Sequence, residues 1–327
     1  MATIKEISEM VGVSSAAVSR VLNYDEGISV SNETRAAIFA AAQKLGYKKR
    51  VVFPKIENVG FLYFVESEDE LEDLFFQEIK EEIIRQAEKL NIHLTIYTKS
   101  DGIDAIPENL NAFVAIGWMN RQDANKLYNL CPKGVFIWTS PDEKLFDSVR
   151  PNMDSFVTQI VDYFIAKGHR NLGFIGVSDK NTDTGNATMD VREWSFRQSA
   201  LYYQCLDNQN IYITEKSTVT EGYRLGLKLV QNRNLPTALC IASDTLAVGV
   251  LQALNESNIQ VPKQTAIFSI NDMNIAKYVS PPLTTMHIDI PVICETALDI
   301  LRNRVLSGSD IIKSVFVNGI PVFRKSC

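Results

Sequence analysis

Gly12, Val13, Ser14, Ser15, Ala16, Ala17, Val18, Ser19, Arg20, Val21, Leu22 and Asn23 form the stretch on which the reading of this chain turns. A glycine supplies the positive backbone angle of a tight corner, and a serine two residues later can cap a helix. Val18, Val21 and Leu22 then recur at helical spacing as a buried stripe, leaving Ser15, Ala16, Ser19 and Arg20 on or near the open face. Upstream, Thr3 and Glu6 have the spacing of a capping box, which starts a helix at Ile4 with Ile4, Ile7 and Val11 on one side. Ser8 is small, as the first helix must be where the second crosses it. Downstream, Ser31 can cap a third helix whose inward side is Ile38, Ala41 or Ala42, and Leu45, ending at Gly46. The spacing Ser8, Gly12, Val18, Val21 is that of a helix-turn-helix, whose second helix enters the DNA major groove, although an ordinary helical hairpin shares it.

Charge is segregated along the chain in the same sense. The 327 residues carry 33 basic and 39 acidic side chains, a net of −6, but residues 1–58 hold eight basic against six acidic, a net of +2. That pattern fits a small DNA-facing head on an acidic body, and a solvated surface fits it too. With 46% apolar and 22% charged residues the chain can bury a large core, and its length asks for two or three domains. No apolar run is long enough to span a membrane and no signal peptide opens the chain, so a cytoplasmic location is expected. The five cysteines form no CxxC pair and read as reduced thiols. His93, His169 and His287 are too far apart in sequence for a zinc-type ligand set, so neither a metal nor a cofactor is expected. There is also no P-loop, no GxSxG elbow and no Gly-rich nucleotide turn; residues 173–185 read as a loop. An enzyme is not indicated.

From Val59 onward, short β-rich runs alternate with amphipathic helices. The first set comprises residues 59–65, 71–90, 94–97, 112–116 and 135–138. The second comprises 156–166, 172–175, 192–206, 223–230, 238–241, 246–254 and 266–270. This is the pattern of parallel α/β sheets in two similar lobes. Ligands of such sheets sit beyond the carboxyl ends of the strands, which makes Asp244 and Asn271 candidates.

The run from Ile4 to Tyr47, with Lys167, Gly168, His169, Arg170, then residues 244–249, then Pro281 to Thr285, resembles the LacI/GalR family of bacterial repressors. Within it the likeness is nearest to repressors of galactoside utilisation, on Ser269, Ile270, Asn271, Asp272 and on residues 192–196. The resemblance implies a helix-turn-helix head over 1–47, a linker over 48–58 and a periplasmic-binding-protein-like core over 59–327. The chain would cross three times between a first lobe, about 59–157 and 288–317, and a second, about 158–287 and 318–327. It implies DNA contacts at Ser14, Ser15, Ala16, Ser19, Arg20, Asn23 and Ser31; Lys48, Lys49 and Arg50, in the linker, are candidates for phosphate contact by their charge. Effector contacts would fall on Phe75, Phe76, Trp118, Arg192, Ser243, Asp244 and Asn271, with Trp138 as a further aromatic. The family usually has Asn where this chain has Ser243, and Asp where it has Asn271, so the hydroxyl contacts differ in detail. Asp244 can equally cap the helix that follows it, and each aromatic can equally be core.

The linker departs furthest from the family pattern. Lys48 to Lys55 is short and holds Pro54, which breaks a helix interior. Either a very short hinge helix presents Val52 or Phe53 to the minor groove, or a basic tether touches phosphates without sequence choice. The expectation is a cytoplasmic homodimeric repressor that dimerises through its core and binds double-stranded operator DNA, released by a small sugar. The alternatives are a repressor that needs a corepressor such as a purine, and a sugar-binding module without regulation.

Overall fold

A computed structural model describes residues 2–22, 28–47, 54–65, 70–232, 234–308 and 310–327. The chain forms two compact units, Met1–Pro54 and Lys55–Cys327. In the first, α1 (Ile4–Val11), α2 (Ser15–Leu22) and α3 (Asn32–Lys44) pack around Ile7, Val18, Val21, Ile38, Ala41 and Ala42. The Thr3 and Glu6 capping box is formed in both directions. Gly12, at φ +76°, ends α1 and donates its N–H to Ser8 O at 2.9 Å, turning the chain into α2. The end of α3 is closed by Gly46 N–H on Gln43 O at 3.1 Å and Tyr47 N–H on Ala42 O at 2.9 Å. With so few residues, this head depends on caps and turns as much as on its small core.

The second unit holds two parallel sheets. The first contains β1 (Ile56–Phe64), β2 (Ile92–Thr98), β3 (Ala112–Gly117), β4 (Gly134–Ile137) and β5 (Asp147–Pro151), flanked by α4 (Glu70–Lys89) and α5 (Arg121–Leu130). The chain then crosses into α6 (Met153–Ala166), β6 (Leu172–Val177), a short hairpin of β7 (Asp179–Lys180) and β8 (Ala187–Thr188), and α7 (Val191–Tyr202). It continues through β9 (Ile211–Thr214), α8 (Val219–Val230), β10 (Ala238–Ile241), α9 (Asp244–Glu256), β11 (Ala266–Asn271) and β12 (Thr284–His287). A second crossing returns it to the first lobe as α10 (Ile290–Ser307) and β13 (Ser314–Val317), and a third places β14 (Ile320–Val322) in the second sheet. Strand orders are β13-β5-β4-β3-β1-β2 and β14-β12-β11-β10-β6-β9, parallel throughout except that β14 is antiparallel to β12. The orders match position for position, so the lobes are topological twins.

The boundary expected near residue 157 falls inside α6, whose Phe156, Val157, Ile160, Val161 and Phe164 are all buried. The loop expected over residues 173–185 is instead the buried strand β6 followed by the β7–β8 hairpin. Several elements escaped the sequence reading: α5, β5, β9, β12, α10, β13 and β14. β5 is Asp147, Ser148, Val149, Arg150, Pro151, which no apolar periodicity marks as a strand. It is nonetheless buried along most of its length between β4 and β13. Asp147 lies at its start, 1% exposed, and is bonded by Arg304 of α10 and by the Lys313 N–H at 2.6 Å. A buried ion pair thus fastens the returning segment to the first lobe.

Candidate functional site

A cleft of about 960 Å³ opens where the strands of both sheets end. Trp118 follows β3; Trp138, Thr139 and Ser140 follow β4; Arg150 and Pro151 close β5. From the second lobe come Ser178 and Asp179 after β6, Glu215 to Ser217 after β9, Ser243 after β10 and Asn271 at the tip of β11. Carboxyl ends of parallel strands converge there because each connection returns the chain to the amino end of the next strand.

The first lobe supplies an aromatic wall. Phe75 and Phe76 of α4 meet edge to face with ring centroids 5.5 Å apart. Trp138 stands 5.2 Å from Phe75, and Trp118 stands 5.8 Å from Phe76. Both phenylalanines are buried, while both tryptophans are half-buried and carry the open part of the wall. Trp138 has φ +79°, a costly angle for an aromatic residue, held by its N–H on Val149 O at 3.1 Å. Arg150 is fixed by an ion pair with Glu143 and by stacking over Phe316, 4.9 Å from the ring centroid; burial pushes its pKa down.

The second lobe supplies polar groups with fixed aim. Arg192, at the start of α7, is 14% exposed and grips Asp190 through Nε and Nη2, both at 2.8 Å. Its Nη1 donates to Ala242 O at 2.8 Å. Three of its five N–H donors are therefore engaged inside the protein, which leaves two for a ligand. Burial acts to raise the Asp190 pKa, but the guanidinium beside it and the bonds it accepts hold it below the usual carboxylate range. Burial likewise acts to lower the Arg192 pKa, and the charges of Asp190 and Asp179 raise it overall. Asn271 at φ +119° and Asp272 at φ +58° form a strained turn at the end of β11.

Phe75, Phe76, Trp118, Arg192, Ser243 and Asn271 all line this cleft, and Asp244 does not. Its carboxylate is wholly buried and spent on internal donors: Ser269 Oγ at 2.5 Å, Thr285 Oγ1 at 2.8 Å and the Met273 N–H at 2.7 Å. Burial pushes its pKa up to about 6 against those three bonds. The cap of α9 is Ser243, whose Oγ accepts the Leu246 N–H at 3.2 Å and also meets Ser217 Oγ at 2.8 Å. Sequence reasoning placed Asp244 on the wall because it follows a strand. The donors it faces from β11 and β12 are 25 to 41 residues away in sequence and left no local mark.

Ser140, Arg150 and Asp190 were missed. Asp190 had a readable signal, an acid two residues before the arginine at a helix start; Arg150 sat in the unrecognised β5. Three polar atoms on the cleft walls, Ser140 Oγ, Arg150 Nε and Asn271 Oδ1, are buried without a hydrogen-bond partner. Such atoms cost about 1–3 kcal/mol each unless something binds them. The charged residues around the cleft balance: Lys99, Arg150, Lys180, Arg192 and Lys216 against Asp123, Asp154, Asp179, Asp190 and Glu215.

In the head, Ser14 caps α2 by accepting the Ala17 N–H at 3.1 Å, and Ser15 Oγ lies 3.1 Å from Ser8 Oγ, joining α2 to α1. Ser14, Ser15, Ala16 and Arg20 are exposed, and Ser19 is half-buried. Ser31 caps α3 through the Thr34 N–H. Asn23, Lys48, Lys49 and Arg50, like Val52 and Phe53, lie outside the described residues.

A family model described as "Bacterial regulatory proteins, lacI family" matches residues 3–49, and one described as "Periplasmic binding protein-like domain" matches residues 161–327. The HTH-type transcriptional regulator GanR of Bacillus subtilis (strain 168) is 42% identical over 100% of this chain and 99% of its own length. The chain belongs to the lacI family. This lacI-family chain is also 35% identical to the HTH-type transcriptional regulator LacR of Lactobacillus helveticus, over 100% of its length and 98% of that protein. Among solved structures, the transcriptional regulator CelR–cellobiose complex superposes with a TM-score of 0.70 at 18% identity, covering 100% of both chains. The lac repressor dimer bound to operator and the anti-inducer ONPF gives 0.66 at 19% identity, covering 99% of this chain and 98% of the other. The fold is therefore a helix-turn-helix head with a periplasmic-binding-protein-like core. The protein is a DNA-binding transcriptional regulator, not an enzyme. No described helix is long and apolar enough to cross a membrane.

Proposed function

We propose that the protein is a cytoplasmic homodimeric repressor of carbohydrate-utilisation genes. It binds a two-fold operator through α2 and lets go when a neutral sugar, of galactoside type, enters the cleft. The observation that carries the sugar reading is the trio of unpartnered buried atoms, Ser140 Oγ, Arg150 Nε and Asn271 Oδ1, on the walls of one cleft. They offer a hydroxyl, a donor and an acceptor, which suits the mixed donors and acceptors of a polyol. The even balance of charge argues against an anionic ligand, and the half-buried Trp118 and Trp138 offer faces for the apolar side of a sugar ring. Arg192 supplies the main polar grip, Ser243 and Asn271 flank it, and Asp244 acts behind the wall. Among fold relatives, one structure holds cellobiose and another, from Enterococcus faecium, holds ribose.

For the head, Ser14, Ser15, Ala16, Ser19, Arg20, Asn23 and Ser31 are proposed to face DNA, with Lys48 to Arg50 on phosphates. Short side chains on α2 let the helix approach base edges, and Arg20 presents a fork suited to guanine. Two heads at fixed spacing are needed for a two-fold site, which is the role of a dimerising core.

A thermal-shift screen of sugars and nucleobases tests the ligand, because binding to the folded state alone raises the melting temperature. A galactoside or related sugar is the expected hit; a purine in its place overturns the reading. Arg20→Ala should cost about 1–3 kcal/mol on operator while sparing random DNA, measured by gel shift. Equal loss on both would reassign Arg20 to phosphate. Arg192→Ala should bind operator as the parent does and ignore the sugar. If ligand were a corepressor, that variant would instead fail to bind operator with ligand present.

A further inference from the structure

The connection from β6 to α7 runs from Ser178 to Asp190, thirteen residues, where such connections usually take about two to six. It is built, not slack. Asp179 pairs with Thr188 and Lys180 with Ala187. At the tip, Asn181 Oδ1 accepts the N–H groups of Asp183 at 3.0 Å and Thr184 at 2.9 Å, and Gly185 N–H donates to Asn181 O at 2.8 Å.

This second-lobe hairpin reaches the first lobe. Thr182 Oγ1 donates to Met119 O at 3.1 Å, and the Asp183 carboxylate accepts the N–H of Arg121, the first residue of α5, at 2.6 Å. Its two feet stand at Arg192: Asp190 is the ion partner of that arginine, and the charge of Asp179 acts on it as well. Lys180 and Thr182 face the cleft between them. The three chain crossings are covalent and persist however far the lobes open, whereas the two bonds of the hairpin tip can break and re-form.

We propose that residues 178–190 are a strap that holds the two lobes together across the cleft and ties the position of Arg192 to that of α5. The strap gates access to the cleft, so on the reading of that cleft as the effector site it controls entry and exit of the ligand. An effector that engages Arg192 acts on both feet of the strap, and release of the tip frees the first lobe to move.

The test uses the full-length protein without ligand, so a negative sugar screen leaves its outcome untouched. The chain has three tryptophans. Trp194 is 55% exposed, and Trp194→Phe leaves only Trp118 and Trp138, both in the cleft, as reporters. On that background, Thr182→Val combined with Asp183→Ala should raise the acrylamide quenching constant about twofold or more. Asp183→Asn, which keeps an acceptor oxygen, should match the parent. Hydrogen exchange should quicken only in peptides covering 119–124 and 178–190. Unchanged quenching in the double variant overturns the strap, as does exchange that quickens throughout the lobe.

Discussion

The two walls of the cleft come from sheets with the same strand order, yet they are made by different physics. The first-lobe wall is packing: Phe75, Phe76, Trp118 and Trp138 touch one another edge to face, and the two phenylalanines are also part of the core. The second-lobe wall is polar preorganisation: Arg192 is aimed by Asp190 and Ala242 O, and the Asn271 turn is anchored from behind by Asp244 and Thr285. Twin topology therefore does not impose twin chemistry. It places the carboxyl ends of strands together and leaves residue choice to decide whether a wall serves mainly stability or mainly recognition.

That contrast breaks most readily at Phe76. Phe76→Ala removes a ring that is 3% exposed and touches three other aromatics, so a loss of about 3–5 kcal/mol is expected in chemical denaturation. A loss below about 1 kcal/mol would mean that the wall is not part of the core after all.

Asp244 sharpens the other side, on the order of 3 kcal/mol across a pH titration. Its folded-state pKa is raised to about 6 from an ordinary 3.8. Between those values the folded chain keeps a proton that the unfolded chain has lost, so stability falls as pH rises from about 4 to about 6 and then levels. Asp244→Asn cannot ionise, and the parent-minus-variant difference should follow that curve; a flat difference would mean that the carboxyl is not desolvated. Smallest is Ser243→Ala, which removes the cap of α9 and should cost about 1 kcal/mol in the same assay.

The head was legible because its determinants are local. A capping box, a left-handed glycine and a stripe of valines each act over no more than four residues, and each stands where its spacing placed it. Most of the core's alternation as far as β11 was legible, α5, β5 and β9 excepted, since buried parallel strands read as short apolar runs. β5 and β13 were not: Asp147, Arg150 and Ser314 break the apolar pattern, and the burial of Asp147 depends on Arg304, more than 150 residues away. The same distance dependence explains the site. Asn271 follows from the rule that ligands lie beyond strand ends and Arg192 and Ser243 from the family resemblance, and all three line the cleft. Whether Asp244 faced in or out depended on Ser269 and Thr285, and the reach of the β7–β8 hairpin depended on Met119 and Arg121 in the other lobe.

The three crossings between lobes carry a consequence in time. The second sheet is not complete until Ser326 has been made: its Oγ donates to Ile267 O and accepts the Thr284 N–H, both at 2.7 Å, and its carbonyl accepts the Ile267 N–H at 2.7 Å. The described core of the head is complete by Tyr47. At about 5–20 residues per second of synthesis, the head can fold roughly 15 to 60 s before the core that is to control it. Throughout that interval a nascent chain carries a finished DNA-reading module with no sensor behind it. On the proposed two-fold operator a lone head makes only one half-site's contacts and holds DNA weakly, so this order of synthesis leaves firm occupancy to two completed chains.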